Sequence, residues 1–262
     1  MKKEGYRTES FPVTRRSALD AGRLGRHKHI VHALIEVDVS VARQVIGDHL
    51  RRTGEKLSLT AYVVYCLGRA ISSNPHLHAY LNWRRRLVVF DHVNVLVLIE
   101  TDADGVRVPM PHVLRRVDQR DYRDLNDELR LVQADPRSSP GWEYLHRLLR
   151  LPGIVRRVFA WIVTKVPQSF RAHSSSVLVT AVGMFGEGAG WGIPKPSLTL
   201  TVTLGGIAER PGLFDGQIRA REYMSVTISI DHDVVDGAPA ARFVRQFRRL
   251  LEEGSGLEGV RP

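Results

Sequence analysis

A chain of 262 residues is long enough to bury one sizeable core and too short for several independent domains. Hydrophobic residues at 43% and charged residues at 25% are ordinary globular values, which excludes wholesale disorder. The formal net charge of +10 turns the surface towards anionic partners: nucleic acid, phospholipid headgroups or a phosphorylated small molecule.

The N-terminal "MKKEGYRTESFPVTRR" is basic but has no apolar segment behind it, and no run of about 18 apolar residues occurs anywhere. Neither secretion nor a membrane span is expected. The single cysteine, Cys66, lies in the apolar run "LTAYVVYCLGRAI", so it cannot pair within the chain; a buried helical thiol in a reducing cytoplasm is expected.

Residues 1–28 read as an irregular basic arm, and 29–262 as one domain. "HIVHALIEVDVS" (29–40) alternates as a strand does, with Ser40 placed to cap a helix that Gly54 ends. A second helix starts near Ser58 or Thr60, is apolar almost all round, and stops before Pro75. Residues 84–111 alternate β-branched and polar residues around the turn signal "DADG". "DYRDLNDELRLVQAD" (121–135) returns to helical spacing, with acids in its first turn where the helix dipole favours them.

The stretch 144–171 reads as two basic amphipathic helices broken at Pro152. They pack on their own assembly with a solvated face, or lie on an anionic membrane surface or a partner. "SSVLVTAVGMF", "SLTLTVTLGGI" and "YMSVTISID" then alternate apolar with hydroxyl residues. They predict a sheet with one apolar face and one hydroxyl face open to water, ligand or another subunit. The final helix carries Ala240, Phe243, Val244, Phe247, Leu250 and Leu251 on one stripe, with Pro239 in its first turn and Gly254 past its end. Helices and strands intersperse without a strict βαβ rhythm, so the fold class is a two-layer α/β (α+β) sandwich and not a doubly wound parallel sheet.

Between that last strand and helix stands "DHDVVDGAPAARF", with His232, Asp236 and Gly237 in the pattern H-x-x-x-D-G. A lone histidine at a strand end is ordinarily a hydrogen-bonded structural residue, and an aspartate there ordinarily caps the helix. The spacing also suits a metal, and His27, His29 and His32 form a second cluster, but no third partner stands at an expected spacing and no metal is expected. "GMFGEGAGWG" lacks both the Lys-Ser/Thr ending of a phosphate-binding loop and a dinucleotide frame, and reads as a flexible loop. No motif or aromatic platform supports nucleic-acid binding.

"DHDVVDGAPAARF" resembles the signature of the acyltransferase catalytic domain of 2-oxoacid dehydrogenase complexes, a pattern related to that of chloramphenicol acetyltransferases. "LTAYVVYCLGRAISSNPHLHAYL", "HVNVLVLIETDADGVRVPMPHVLRRVD" and "VTAVGMFG" are similar, in order, to that family's buried helix, central strands and Ser/Thr-bearing stretch. The resemblance implies a chloramphenicol acetyltransferase-like fold assembling as a homotrimer, with the active site between subunits and coenzyme A as substrate. It implies His232 as general base, Thr180 as a hydrogen-bond donor to the tetrahedral oxyanion, and Asp236 and Gly237 as orienting residues, with Asp236 paired to Arg16 or its neighbour Arg15.

Departures from the family are Ala181, where Asn is common, Asp233, where Arg often follows the histidine, and the polar ending "EEGSGLEGVRP" in place of a cage-forming apolar tail. A lipoyl domain and a partner-binding domain do not fit in 262 residues, so no lipoyl group is expected on this chain. A separate lipoyl-bearing protein or dehydrogenase components are its expected partners. Two functions follow: a coenzyme-A-dependent acyltransferase, or a catalytically silent trimeric module that docks a membrane or protein through the basic helices.

Overall fold

The computed structural model describes residues 8, 16–103, 106–140, 142, 147–148, 150–165, 175–182, 188–214 and 216–260. Six strands form one mixed sheet. They are β1 (Ile30–Asp38), β4 (Val95–Ala103), β5 (Val106–Leu114), β6 (Val177–Ala181), β7 (Leu200–Phe214) and β8 (Gln217–Asp231), in the order β1-β8-β7-β6-β4-β5. The strands β4, β6 and β7 run parallel, while β1, β8 and β5 pair antiparallel with their neighbours. Two short strands, β2 (Tyr80–Leu81) and β3 (Leu87–Val88), make a separate ribbon.

The helices are α1 (Arg16–Leu24), α2 (Ser40–Thr53), α3 (Leu59–Ser72), α4 (Tyr122–Ala134), α5 (Gly153–Lys165) and α6 (Gly237–Glu253). The apolar face of the sheet, with Val37, Val95, Val97, Val179, Val202, Val226 and Ile228, meets Tyr62, Leu67, Leu125, Leu129, Phe243 and Phe247 from α3, α4 and α6 in one buried cluster. Phe243 and Phe247 stack with ring centroids 5.8 Å apart, and the Tyr62 hydroxyl donates to the Leu251 carbonyl at 2.9 Å, joining α3 to the end of α6. The expected two-layer sandwich is the observed one.

Local signals hold in detail. The Ser58 side chain caps α3 by accepting from the Ala61 amide, and Asp121 caps α4 by accepting from the Asp124 amide. Gly54 and Gly254 end α2 and α6 in the left-handed region, at φ 74° and 72°. Strands β4 and β5 pair as the turn signal predicts, although Asp104 and Gly105 themselves lie outside the described residues.

Two expectations change. Ser40 is the first helical residue of α2 and not its cap: Val39 takes the N-cap position without a side-chain cap bond, and one Asp38 carboxylate oxygen accepts both the Ser40 amide at 2.9 Å and its hydroxyl at 2.6 Å. The arm is not irregular throughout, since α1 forms within it and is held to α5 by the Arg156–Asp20 ion pair at 2.9 Å. Of the two helices expected in 144–171, the second is observed as α5; 147–148 and 150 ahead of it are helical, and 144–146, 149 and 166–171 lie outside the described residues.

Candidate active site

The hydrogen-bonding pattern at the end of β8 builds a rigid platform under an exposed ring. Asp231, 3% exposed, donates its amide to the Thr199 carbonyl at 2.9 Å, and its own carbonyl accepts the amides of Val234 and Val235 at 3.0 and 3.1 Å, closing a tight turn. Its carboxylate pairs with the Lys28 ammonium and accepts the Asp233 amide at 3.3 Å. A charge this deep is retained only with such a partner, and removing one member leaves the other desolvated and unpaired. The His232 amide donates to the His29 carbonyl at 2.8 Å, so the backbone on both sides of His232 is fixed while its imidazole is exposed. Beside it, His29 Nδ1 stands 2.8 Å from Asp233 Oδ1.

Val235, 3% exposed, then anchors the start of α6, and Asp236 takes the N-cap position. The Asp236 side chain makes no cap hydrogen bond and is exposed. No ion pair or hydrogen bond joins Asp236 to Arg16 among the described residues, and Arg15 lies outside them. Gly237 begins α6 with nothing within 4 Å of where a Cβ would stand, so crowding within this chain does not demand glycine there.

Thr180 lies on β6, half-buried, opposite Thr203 of β7, which in turn lies opposite Thr227 of β8. Thr227 precedes His232 by five residues. With about 3.3 Å of rise per residue along β8 and two strand spacings of about 4.8 Å across, Thr180 and His232 stand roughly 15–20 Å apart in one chain. A single copy therefore does not bring the two together.

The hydroxyl face was expected to be open, but most of it is closed. Thr201, Thr203, Ser225, Thr227 and Ser229 are all 2% exposed or less. Backbone from 188 to 192 crosses this face: the Gly206 amide donates to the Gly190 carbonyl at 2.9 Å, and a Cβ on Gly206 would fall 1.9 Å from the Gly188 carbonyl oxygen. Only this close approach explains glycine at that point. Ser229 bonds His32 Nδ1 at 2.8 Å near the rim. The described residues include no group of three or more potential metal ligands.

The H-x-x-x-D-G pattern singles out His232 and Asp236 but gives Lys28 and Asp231 no role. Asp231 stands inside the motif. Its partner lies 203 residues away, and no local pattern announces such a pairing.

Residues 7–139 and 169–257 match the model of the family of 2-oxoacid dehydrogenases acyltransferase (catalytic domain). The chain belongs to this family. The acyltransferase match stops at 139 and resumes at 169, so α5 and the segment before it fall outside what the family model covers. Among curated relatives, the chain is 25% identical over 240 residues to the lipoamide acyltransferase component of the branched-chain alpha-keto acid dehydrogenase complex of Pseudomonas putida, covering 91% of this chain and 49% of that protein. The chain thus spans about half the length of the curated relatives it matches. In fold it is similar to a probable dihydrolipoamide acetyltransferase from Listeria monocytogenes, with TM-score 0.72, 17% identity and 97% of each chain covered. It is also similar to chloramphenicol acetyltransferase, with TM-score 0.52, 15% identity, and 93% and 99% of the two chains covered.

Proposed function

We propose that this chain is the catalytic domain, within 29–262, of a coenzyme-A-dependent acyltransferase working at a boundary between copies in a homotrimer. The observation that carries the reading is the His232 ring, exposed on a turn immobilised by the Lys28–Asp231 pair and the His29 carbonyl. A base placed this way loses little entropy when it meets its substrate.

The imidazole removes the proton from an acceptor thiol, or another acceptor, as the sulfur attacks the carbonyl carbon of an acyl thioester. The carbonyl electron pair moves to oxygen, and the Thr180 hydroxyl of a second copy donates a hydrogen bond to that oxyanion. Collapse of the tetrahedral intermediate breaks the original carbon–sulfur bond, and the departing thiolate takes the proton back from the imidazolium. The net +10 charge favours a polyphosphate substrate such as coenzyme A. A lipoyl-bearing protein of a dehydrogenase complex is the proposed acyl partner, as the name of the Pseudomonas putida relative implies for that protein. The proposed compartment is the cytoplasm: Cys66 is buried, and burial pushes its thiol up to about 12, which suits an inert reduced cysteine. No described helix is long and apolar enough to cross a membrane.

The test is release of free thiol from a panel of acyl-coenzyme A substrates with a dithiol acceptor. The wild type should turn over at least one acyl group, and His232→Ala should lose at least about a hundredfold of that rate with its assembly state and thermal unfolding unchanged. A silent wild type across the panel, or a fully active His232→Ala, would refute the reading in favour of a binding module.

A further inference from the structure

The helix α5 lies in the stretch 140–168 that the acyltransferase family model does not match, so its outward surface is not part of what the family shares. Its orientation is set by Arg156, 8% exposed, whose guanidinium donates to Asp20 of α1 at 2.9 Å and to the Leu151 carbonyl at 2.9 Å. At 100° per residue, Ile154, Val158, Trp161 and Ile162, with Val155 at the edge and Lys165 closing the last turn, fall on the arc opposite Arg156. That arc is turned outward: Ile154 is 67% exposed, Val155 47%, Val158 53%, Trp161 58% and Ile162 38%. Clustered apolar exposure of this kind on one helix marks an interaction surface, where scattered exposed residues would not.

The charges name the partner. Arg157 is exposed beside the stripe, Arg150 is exposed just ahead of the helix, and no acidic residue occurs anywhere from 144 to 171. Two copies meeting stripe to stripe would bring like charges together with no carboxylate in the segment to offset them. The stripe is a convex ridge, which a protein partner accommodates only with a matching groove, whereas the headgroup and acyl boundary of a bilayer yields to such a shape. With 13 residues α5 is too short to span a bilayer, which takes about 20.

We propose that α5 is an in-plane anchor for a membrane surface carrying anionic lipid, with the apolar arc in the acyl boundary and the flanking arginines among phosphates.

The experiment is flotation of the full chain with vesicles of phosphatidylcholine alone or mixed with phosphatidylglycerol. The wild type should float with the mixed vesicles and much less with the neutral ones. The Ile154→Asp/Val158→Asp double variant should bind roughly tenfold more weakly or worse, and Arg157→Glu should weaken binding in a manner that added salt mimics. All three sites are exposed, so matched thermal unfolding confirms that the variants fold. The proposal is overturned if the wild type stays with neither vesicle or floats equally with both. It is also overturned if the double variant floats as well as wild type, which would assign binding to the general positive charge. A change of assembly state in the double variant would make the stripe a contact between copies and overturn it too.

Discussion

Glu128 shows how a single side chain couples this fold to pH. His112 of β5 is 3% exposed, with Nε2 2.8 Å from Glu128 Oε1 and Nδ1 2.9 Å from the Ser139 hydroxyl, and Arg120 pairs with the other Glu128 oxygen at 2.6 Å. Burial alone would raise the Glu128 carboxyl, but hydrogen bonds from His112 and Arg120 outweigh it and hold the group below its ordinary 4.5. A carboxyl lowered by folding stabilises the native state fully above the ordinary value, and that contribution is lost as pH falls through the lowered one. Glu128→Gln should therefore cost about 1–3 kcal/mol in urea unfolding near neutrality, and the gap to wild type should close as pH drops below 4.5. The line of hydroxyl, imidazole and carboxylate has the members of a hydrolytic triad, but Ser139 is 5% exposed, and the group serves to hold α4 on β5. His232, on an equally ordered backbone, differs in the one respect that chemistry needs: its ring is exposed.

Among elements, the least tolerant contact is the crossing of 188–192 over the bulge where β7 shifts register between Leu204 and Ile207. Gly206→Ala should push the Gly188 carbonyl away, at a cost of about 1–3 kcal/mol read from thermal unfolding, because the clash is with backbone and not with a side chain that can turn aside. The start of α3 near Ser58, the acid-rich first turn of α4, the stops at Gly54 and Gly254 and the alternation of β8 were legible in the sequence because each depends on neighbours a few residues away. Ser40 misled because the helix starts one residue earlier than its cap role requires: Asp38 accepts the Ser40 amide, and the Ser40 hydroxyl donates to Asp38 and accepts from the Glu222 amide at 2.8 Å. The helix α1 was missed because its partner is α5, more than a hundred residues on. The covering of the hydroxyl face was missed because a glycine-rich stretch has no period to betray where it lies.

At the scale of the whole molecule, the proposed pairing of Thr180 from one copy with His232 of another makes a sharp demand on assembly. His232→Ala and Thr180→Ala should each be nearly inactive alone, the latter by roughly a hundredfold. Mixing the two after partial denaturation and reassembly should restore thiol release, since some sites then draw an intact histidine from one chain and an intact threonine from another. Absence of any recovery would mean that both residues act within one copy. The pairing of β1 with β8 has a different consequence, one of timing. Lys28 and Asp231 are separated by 203 residues, so at about 5–20 residues per second a ribosome delivers the second roughly ten to forty seconds after the first. Until then β1 has no strand to pair with on its β8 side, and the turn bearing His232 has not been made. Every nascent fragment that ends before Val235 lacks that turn, and the step that closes this side of the sheet is also the step that sets the ring in place.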